Sequence, residues 1–183
     1  MSTKLKSLIP DAMVIIRLHE LGLWERLCER TTVIVPSTIV HESRFYIDPD
    51  TGGRIEIDLE AQLVAGRITQ EAADADEVEA FMRQFDPVMI ENLHEGEVEA
   101  LTLLFQGRAA DSKLCSADQA AVKALVLVGM KQKGISLEHV LRETGLPGAG
   151  RIGVQYSAAC FAQWVREAAL DRLQGRGLAR RPF

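Results

Sequence analysis

Thr32-Val33-Ile34-Val35-Pro36 is an apolar, largely β-branched run. It offers no polar face to water, so as a strand it has to be covered on both sides. Strands of that kind sit in parallel sheets flanked by helices, which makes an α/β architecture the first expectation. Leu8-Ile9-Pro10-Asp11 is a second short buried strand, ending at a carboxylate, and Lys113-Leu114-Cys115 is a third. Between them the apolar spacing is helical. Met13, Ile16, Leu18, Leu21 and Leu23 follow Ala12 and stop near Gly22. Trp24 to Arg30 is a second short helix, and Ser37 caps a helix bearing Ile39, Val40 and Glu42. A helix from Leu59 and a short segment Arg67-Ile68-Thr69 come next. Asp74 to Phe85 places Val78, Phe81, Met82 and Phe85 on one face. His94 to Phe105, Asp118 to Lys131 and Ser136 to Glu143 complete the series, the last stopped by Gly145 and Pro147. Phe45-Tyr46-Ile47 and Arg54-Ile55-Glu56-Ile57 flank the turn formers Asp48 to Gly53, which predicts a β-hairpin near 45–57.

The chain of 183 residues, 47% of them hydrophobic, suits one domain with an appendage and a core that needs no staples. The body is expected over 1–146 and a C-terminal extension over 147–183. Gly148-Ala149-Gly150 reads as a linker, Gln155 to Leu173 as a last amphipathic helix, and Gly175 to Phe183 as a frayed end. Cys28, Cys115 and Cys160 are far apart and form no CxxC pair, so reduced thiols are expected rather than zinc or disulfides. No apolar run reaches the ~18 residues that a membrane helix needs. The N-terminal residues make a poor signal peptide, so the expected location is cytoplasmic.

The net charge of −5 argues against a broad nucleic-acid-binding surface, but its distribution is uneven. Residues 1–146 carry 15 Lys/Arg against 24 Asp/Glu, whereas 147–183 carry six Arg against two acids. This suggests cation binding by the body, and anion or partner contact by the tail, with Arg176, Arg180 and Arg181 as the candidates. A merely solvated tail is the plain alternative.

Four carboxylates stand where strands end or helices begin: Asp11, Glu42, Glu97 and Asp118. In open α/β sheets, ligands bind beyond the carboxyl ends of the strands. Acids converging there repel one another unless a cation sits among them, and hard divalent ions such as Mg²⁺ and Mn²⁺ take oxygen ligands. Read singly, Asp11 and Asp118 are also good helix caps, and any acid near Gly96 favours a helix dipole. Glu95 and Glu99 read as a solvated face. His41 and His94 adjoin candidate acids, as exposed polar groups or phosphate contacts, while His19 and His139 read as structural. Trp24 and Trp164 lie on apolar helical faces and read as core or interface. With Phe161, Trp164 leaves room for a homodimer.

In this arrangement the chain resembles PIN-domain nucleases. Leu8-Ile9-Pro10-Asp11-Ala12 is similar to the opening strand and its terminal Asp. Val33 to Glu42, with Pro36 between strand and helix, is similar to the second motif. Leu93-His94-Glu95-Gly96-Glu97 to Leu101 is similar to the third, and Leu114-Cys115-Ser116-Ala117-Asp118 to Ala121 to the fourth. The resemblance spans residues 8–130. It implies a three-layer α/β/α fold and a Mg²⁺- or Mn²⁺-dependent endonuclease that hydrolyses phosphodiester bonds, chiefly in RNA. It further implies Asp11, Glu97 and Asp118 as metal ligands and Glu42 as a fourth catalytic acid, a ligand or water-positioning group. Ser116 would hold a phosphate or an acidic side chain through its hydroxyl. The chain departs from the pattern in its hairpin, in its extension, and at Gln119, where relatives carry a further acid. Those departures leave a second reading, a catalytically weak PIN-like module that binds protein or nucleic acid. A third keeps the chemistry but makes the chain a toxin ribonuclease of a toxin–antitoxin pair, with an antitoxin-like partner.

Overall fold

The computed structural model describes residues 5–179. In chain order the elements are β1 (Ser7–Pro10), α1 (Ala12–Glu20), α2 (Trp24–Cys28), β2 (Thr32–Pro36), α3 (Ser37–Glu42), β3 (Phe45–Ile47), β4 (Arg54–Glu56), α4 (Leu59–Val64) and β5 (Thr69–Glu71). They continue with α5 (Ala75–Met82), α6 (Pro87–Glu91), α7 (Glu95–Phe105), β6 (Ser112–Cys115), α8 (Gln119–Leu127), β7 (Gly134–Ile135), α9 (Leu137–Glu143) and α10 (Ala158–Leu173). Five strands form one parallel sheet in the order β5-β2-β1-β6-β7, and β3-β4 form the separate antiparallel hairpin. The α/β expectation and its parallel sheet are met, with helices flanking the sheet.

Alternation along β1 explains the layers. Leu8 and Ile9 are both fully buried, but successive strand residues face opposite sides. Leu8 joins a cluster with Val33, Val35, Ile15, Leu18, Trp24, Leu27, Val140 and Leu141. Ile9 joins another with Phe81, Leu101, Leu104, Leu114 and Leu125. The first cluster is capped by α1, α2 and α9, the second by α5, α7 and α8. Trp24 is core rather than interface, with its ring N–H donating to Gln62 Oε1 at 2.5 Å. His19 is structural, stacked against Trp24 and Tyr46, and burial drives its imidazole down to about 4.

Two strands and a helix are additions to what the sequence suggested. β5 pairs with β2 through Ile34↔Thr69 to Pro36↔Glu71, where only a short segment was expected. β7 pairs with β6 through Leu114↔Gly134 and Cys115↔Ile135. A side chain at position 134 would place its Cβ 2.7 Å from Phe161 and 2.8 Å from Leu125, so glycine alone lets α10 close over β7. Phe161 is half-buried, with its ring edge over Gly134. α6 opens with Pro87 after the cap Asp86.

The segment after 147 is packed onto the rest. Ile152 and Tyr156 are buried in the first cluster, and Arg17 donates from Nε to the Ile152 carbonyl at 3.2 Å. The Gly148–Gly150 stretch is a turn closed by Arg151 N–H on the Gly148 carbonyl, 2.8 Å. α10 lies along α8. The expectation of a frayed end from Gly175 is corrected for residues 175–179. Leu178 bridges Phe85 in antiparallel fashion, Asp86 N–H donates to the Gly177 carbonyl, and Ala179 N–H donates to the Gln84 carbonyl. Unmet backbone groups there find partners on the body, which fixes the segment. Arg180 and Arg181 lie outside the described residues.

Candidate functional site

The sheet order has one reversal. From the central β1, the chain steps outward through β2 to β5, then returns to lay β6 on the other side of β1. The carboxyl ends of β1 and β6 therefore flank the crevice at the switch point, where open α/β sheets bind ligands. Asp11 follows β1 and Asp118 follows β6, and the two ends are tied by Asp11 N–H on the Cys115 carbonyl at 3.0 Å.

Asp11 is buried. One oxygen, Oδ1, accepts the Val14 N–H at 2.7 Å and caps α1. The other, Oδ2, accepts the Ser116 hydroxyl at 2.6 Å and the Ala117 N–H at 2.8 Å. Burial raises its pKa despite those three donors, and the charge of Asp118 adds to the rise. Ser116 is buried too and is tied on both sides, since its oxygen also accepts the Asp118 N–H at 3.0 Å. Of the two contacts expected for this hydroxyl, the acidic side chain is the one in place. Asp118 caps α8, with Oδ1 accepting the N–H groups of Ala120 (2.6 Å) and Ala121 (3.1 Å).

Glu97 sits in the first turn of α7 and is buried, with Oε2 accepting the His94 N–H at 3.1 Å. Its carboxyl is pushed up to about 8, first by burial, then by the charge of Asp118, with Asp11 and Glu42 adding to it. Glu42, at the end of α3, is exposed. A Cβ at Gly96 would lie 2.8 Å from Glu42 Oε2 and 2.7 Å from Ile39 Cγ1, so the glycine is what lets α3 and its carboxylate lie against the start of α7. All four expected acids thus share one electrostatic neighbourhood. None of them pairs with Lys or Arg among the described residues.

As placed, no three His, Cys, Asp or Glu side chains among the described residues stand together as a ready metal cage. Asp11, Glu97 and Asp118 are turned toward backbone N–H groups and, for Asp11, the Ser116 hydroxyl instead. The donor set nevertheless suits a hard cation. A carboxylate has about four acceptor positions, and Asp11 uses three of them. Asp118 Oδ2 and Glu97 Oε1 accept no hydrogen bond among the described residues.

The neighbours divide clearly. His41 and Glu95 border a shallow hollow of about 410 Å³ with Glu42. His94 is exposed and touches the site through its backbone N–H. Gln119, in place of a further acid, donates to Glu167 Oε2 at 2.9 Å. Cys115 is buried beside Asp11, and burial raises its thiol well above the ordinary range, so it is no nucleophile.

Glu99 corrects the sequence reading. It is buried rather than solvated, and accepts the Ser37 hydroxyl (2.6 Å), the Thr38 N–H (2.8 Å) and the Ala73 N–H (3.2 Å). Burial pushes its pKa up, but these donors outweigh that and hold it below the ordinary 4.5. The carboxylate pins the start of α3 and the segment after β5 to α7, which seats Glu42. Its signal was spacing: Glu97 and Glu99 are two apart in a helix, so they point to different sides.

Comparison of the chain with family models, with curated proteins and with solved structures finds no match.

Proposed function

We propose that the chain is a metal-dependent endonuclease of PIN-like, three-layer build that hydrolyses phosphodiester bonds, chiefly in single-stranded RNA. The observation that carries this reading is the state of Glu97. Its carboxyl is raised to about 8 by burial and by the acids Asp118, Asp11 and Glu42, which come from three other stretches of chain and meet it at the switch point. A group perturbed both by burial and by specific charged neighbours in a crevice is a candidate for a functional site.

Asp11, Glu97 and Asp118 would hold Mg²⁺ or Mn²⁺, through the lone pairs that the helix N–H groups leave open. The ion supplies Lewis-acid stabilisation of the charge that builds on a phosphodiester in transit. The chain's own part is positioning. Ser116 and Ala117 fix Asp11 Oδ2, Val14 fixes Oδ1, and the Ala120 and Ala121 N–H groups fix Asp118 Oδ1. Glu42, exposed beside Gly96, is suited to orient an incoming water.

The test is cleavage of a labelled single-stranded RNA with Mn²⁺, by the purified chain and by Asp11→Asn and Asp118→Asn variants. Loss of cleavage in both is expected. Cleavage persisting in both overturns the assigned site. The second reading, a binding module with a weakened centre, is favoured by the absence of a preformed three-ligand cluster among the described residues and by the engagement of Gln119 with Glu167. No Mn²⁺ uptake at millimolar concentration, together with tight binding of a protein partner, would support it. Growth arrest on expression, relieved by a neighbouring gene product, would add the toxin role and an antitoxin-like partner.

A further inference from the structure

A groove of about 910 Å³ opens beside the acidic centre, between α6, the start of α8 and the fixed C-terminal segment. Its near end is lined by chain neighbours of the centre. Gln119 and Ala120 directly follow Asp118, and the Ala120 N–H holds the Asp118 carboxylate. Asn92, on the opposite rim, stands two residues before His94, whose N–H holds Glu97. The groove therefore borders the acidic centre at the start of α8 and ahead of α7.

The lining is of three kinds. Val88, which is 69% exposed, and Leu178 supply apolar surface. Asn92 and Gln119 supply amides. Lys123 and Arg176 supply positive charge, and both are held by Asp171, with Lys123 Nζ 2.6 Å from Oδ2 and Arg176 Nε 2.8 Å from Oδ1. One lining carboxylate, Asp86, opposes them, but its two oxygens are taken by the N–H groups of Met89 (2.8 Å) and Gly177 (3.1 Å). The cations thus stand in the groove of a chain that is otherwise acidic. An apolar wall for a ring, amides for its edge and cations for a phosphate are the parts a nucleotide requires.

We infer that this groove seats the nucleoside next to the scissile phosphate, with its base against Val88 and Leu178, its edge at Asn92 and Gln119, and the following phosphate at Lys123 and Arg176. This rests on the reading of Asp11, Glu97 and Asp118 as a phosphodiester site. The C-terminal segment is then a working wall of the site, placed there by the Phe85–Leu178 bridge.

The experiment separates the two claims. Fluorescence anisotropy of a labelled single-stranded oligonucleotide, as RNA and as DNA of the same sequence, is measured in EDTA, where no cleavage occurs. The unmodified chain is compared with Val88→Glu, which sets a carboxylate in the apolar wall from an exposed position, with Arg176→Ala, and with Arg142→Ala, an exposed cation on α9. Affinity is expected to fall about tenfold or more in Val88→Glu and several-fold in Arg176→Ala, in whichever nucleic acid the unmodified chain binds more tightly. Arg142→Ala is expected to match the unmodified chain. Equal binding by all four proteins, no binding by the unmodified chain, or an equal loss in Arg142→Ala and Arg176→Ala overturns the inference. Hydrolysis of bis(p-nitrophenyl) phosphate with Mn²⁺ by the unmodified chain, which needs no base, tests the acidic centre independently. Its absence would sink the nuclease reading, and the anisotropy result would still decide the groove.

Discussion

Replacing Glu97 with Gln tests the electrostatics of the centre through stability, with no activity required. In the unfolded chain Glu97 ionises near 4.5, and in the fold near 8. Between those values the folded chain holds a proton that the unfolded chain has released, so stability falls as pH rises through this window. The contribution of the protonated group is fully present below about 4.5 and is gone above about 8. At about 1.4 kcal/mol per tenfold change in proton affinity, the penalty for ionising Glu97 within the fold is roughly 2–5 kcal/mol. Gln keeps an oxygen for the His94 N–H and has no proton to lose. In EDTA, Glu97→Gln is therefore expected to match the unmodified chain at pH 5 and to exceed it at pH 9. A chain of this length shifts in Tm by about 2–4 °C per kcal/mol, so the gap at pH 9 is roughly 5–15 °C. Urea or thermal unfolding at constant ionic strength from pH 5 to 9 reads it directly. Mn²⁺ at about 100-fold over its Kd would return about 2.7 kcal/mol to the unmodified chain at pH 9, and less to the variant. Parallel stability profiles from pH 5 to 9, or a variant weaker than the parent at pH 9, would show that Glu97 lies outside the fields of Asp11 and Asp118.

Glu99 behaves oppositely: its stabilisation is present above about 4.5 and is lost as pH falls below it, because its carboxylate is held low. Glu99→Gln leaves one of three donors without an acceptor, and denaturant unfolding at pH 7 is expected to show a loss of about 1–3 kcal/mol. Gly134→Ala sets a methyl 2.7 Å from Phe161 and 2.8 Å from Leu125, so α10 has to shift or the core has to strain. A loss of about 1–3 kcal/mol in the same assay, with faster proteolysis in α10, is expected.

The fold was legible where side chains alone decide the structure. β2 is apolar at nearly every position, so its burial on both faces could be read without knowing its neighbours. Asp11, Asp118 and Ser136 cap the helices they were expected to cap, whereas Ser37 gives its hydroxyl to Glu99 and α3 has no side-chain cap. β5 was not legible, because Thr69, Gln70 and Glu71 are polar and largely exposed, and only the open edge of β2 makes them a strand. β7 has two residues and follows from the contact of Gly134 with Phe161, far away in sequence. The same holds for residues 175–179, whose backbone partners lie near Phe85. Among the acids, helical position marked Glu97, and the two-residue offset put Glu99 on another side of α7, but its donors come from Ser37, Thr38 and Ala73, far away in sequence.

Capping explains each acid singly, but not their meeting. Asp11 and Asp118 follow parallel neighbours, so α1 and α8 both begin at the carboxyl edge of the sheet. α7 runs back before β6, which brings its N-terminus to that same edge. The partial positive ends of three helices thus gather there, and each favours a nearby carboxylate by about 0.3–1 kcal/mol. That is too little to offset the burial and mutual repulsion that hold Glu97 near 8. Capping does not require a charge at Asp11 or Asp118, since Ser136 and Ser157 cap α9 and α10 without one. The carboxylates of Asp11 and Asp118 add repulsion that only a proton or a cation relieves, and the stability of Glu97→Gln against pH measures how much of it is stored.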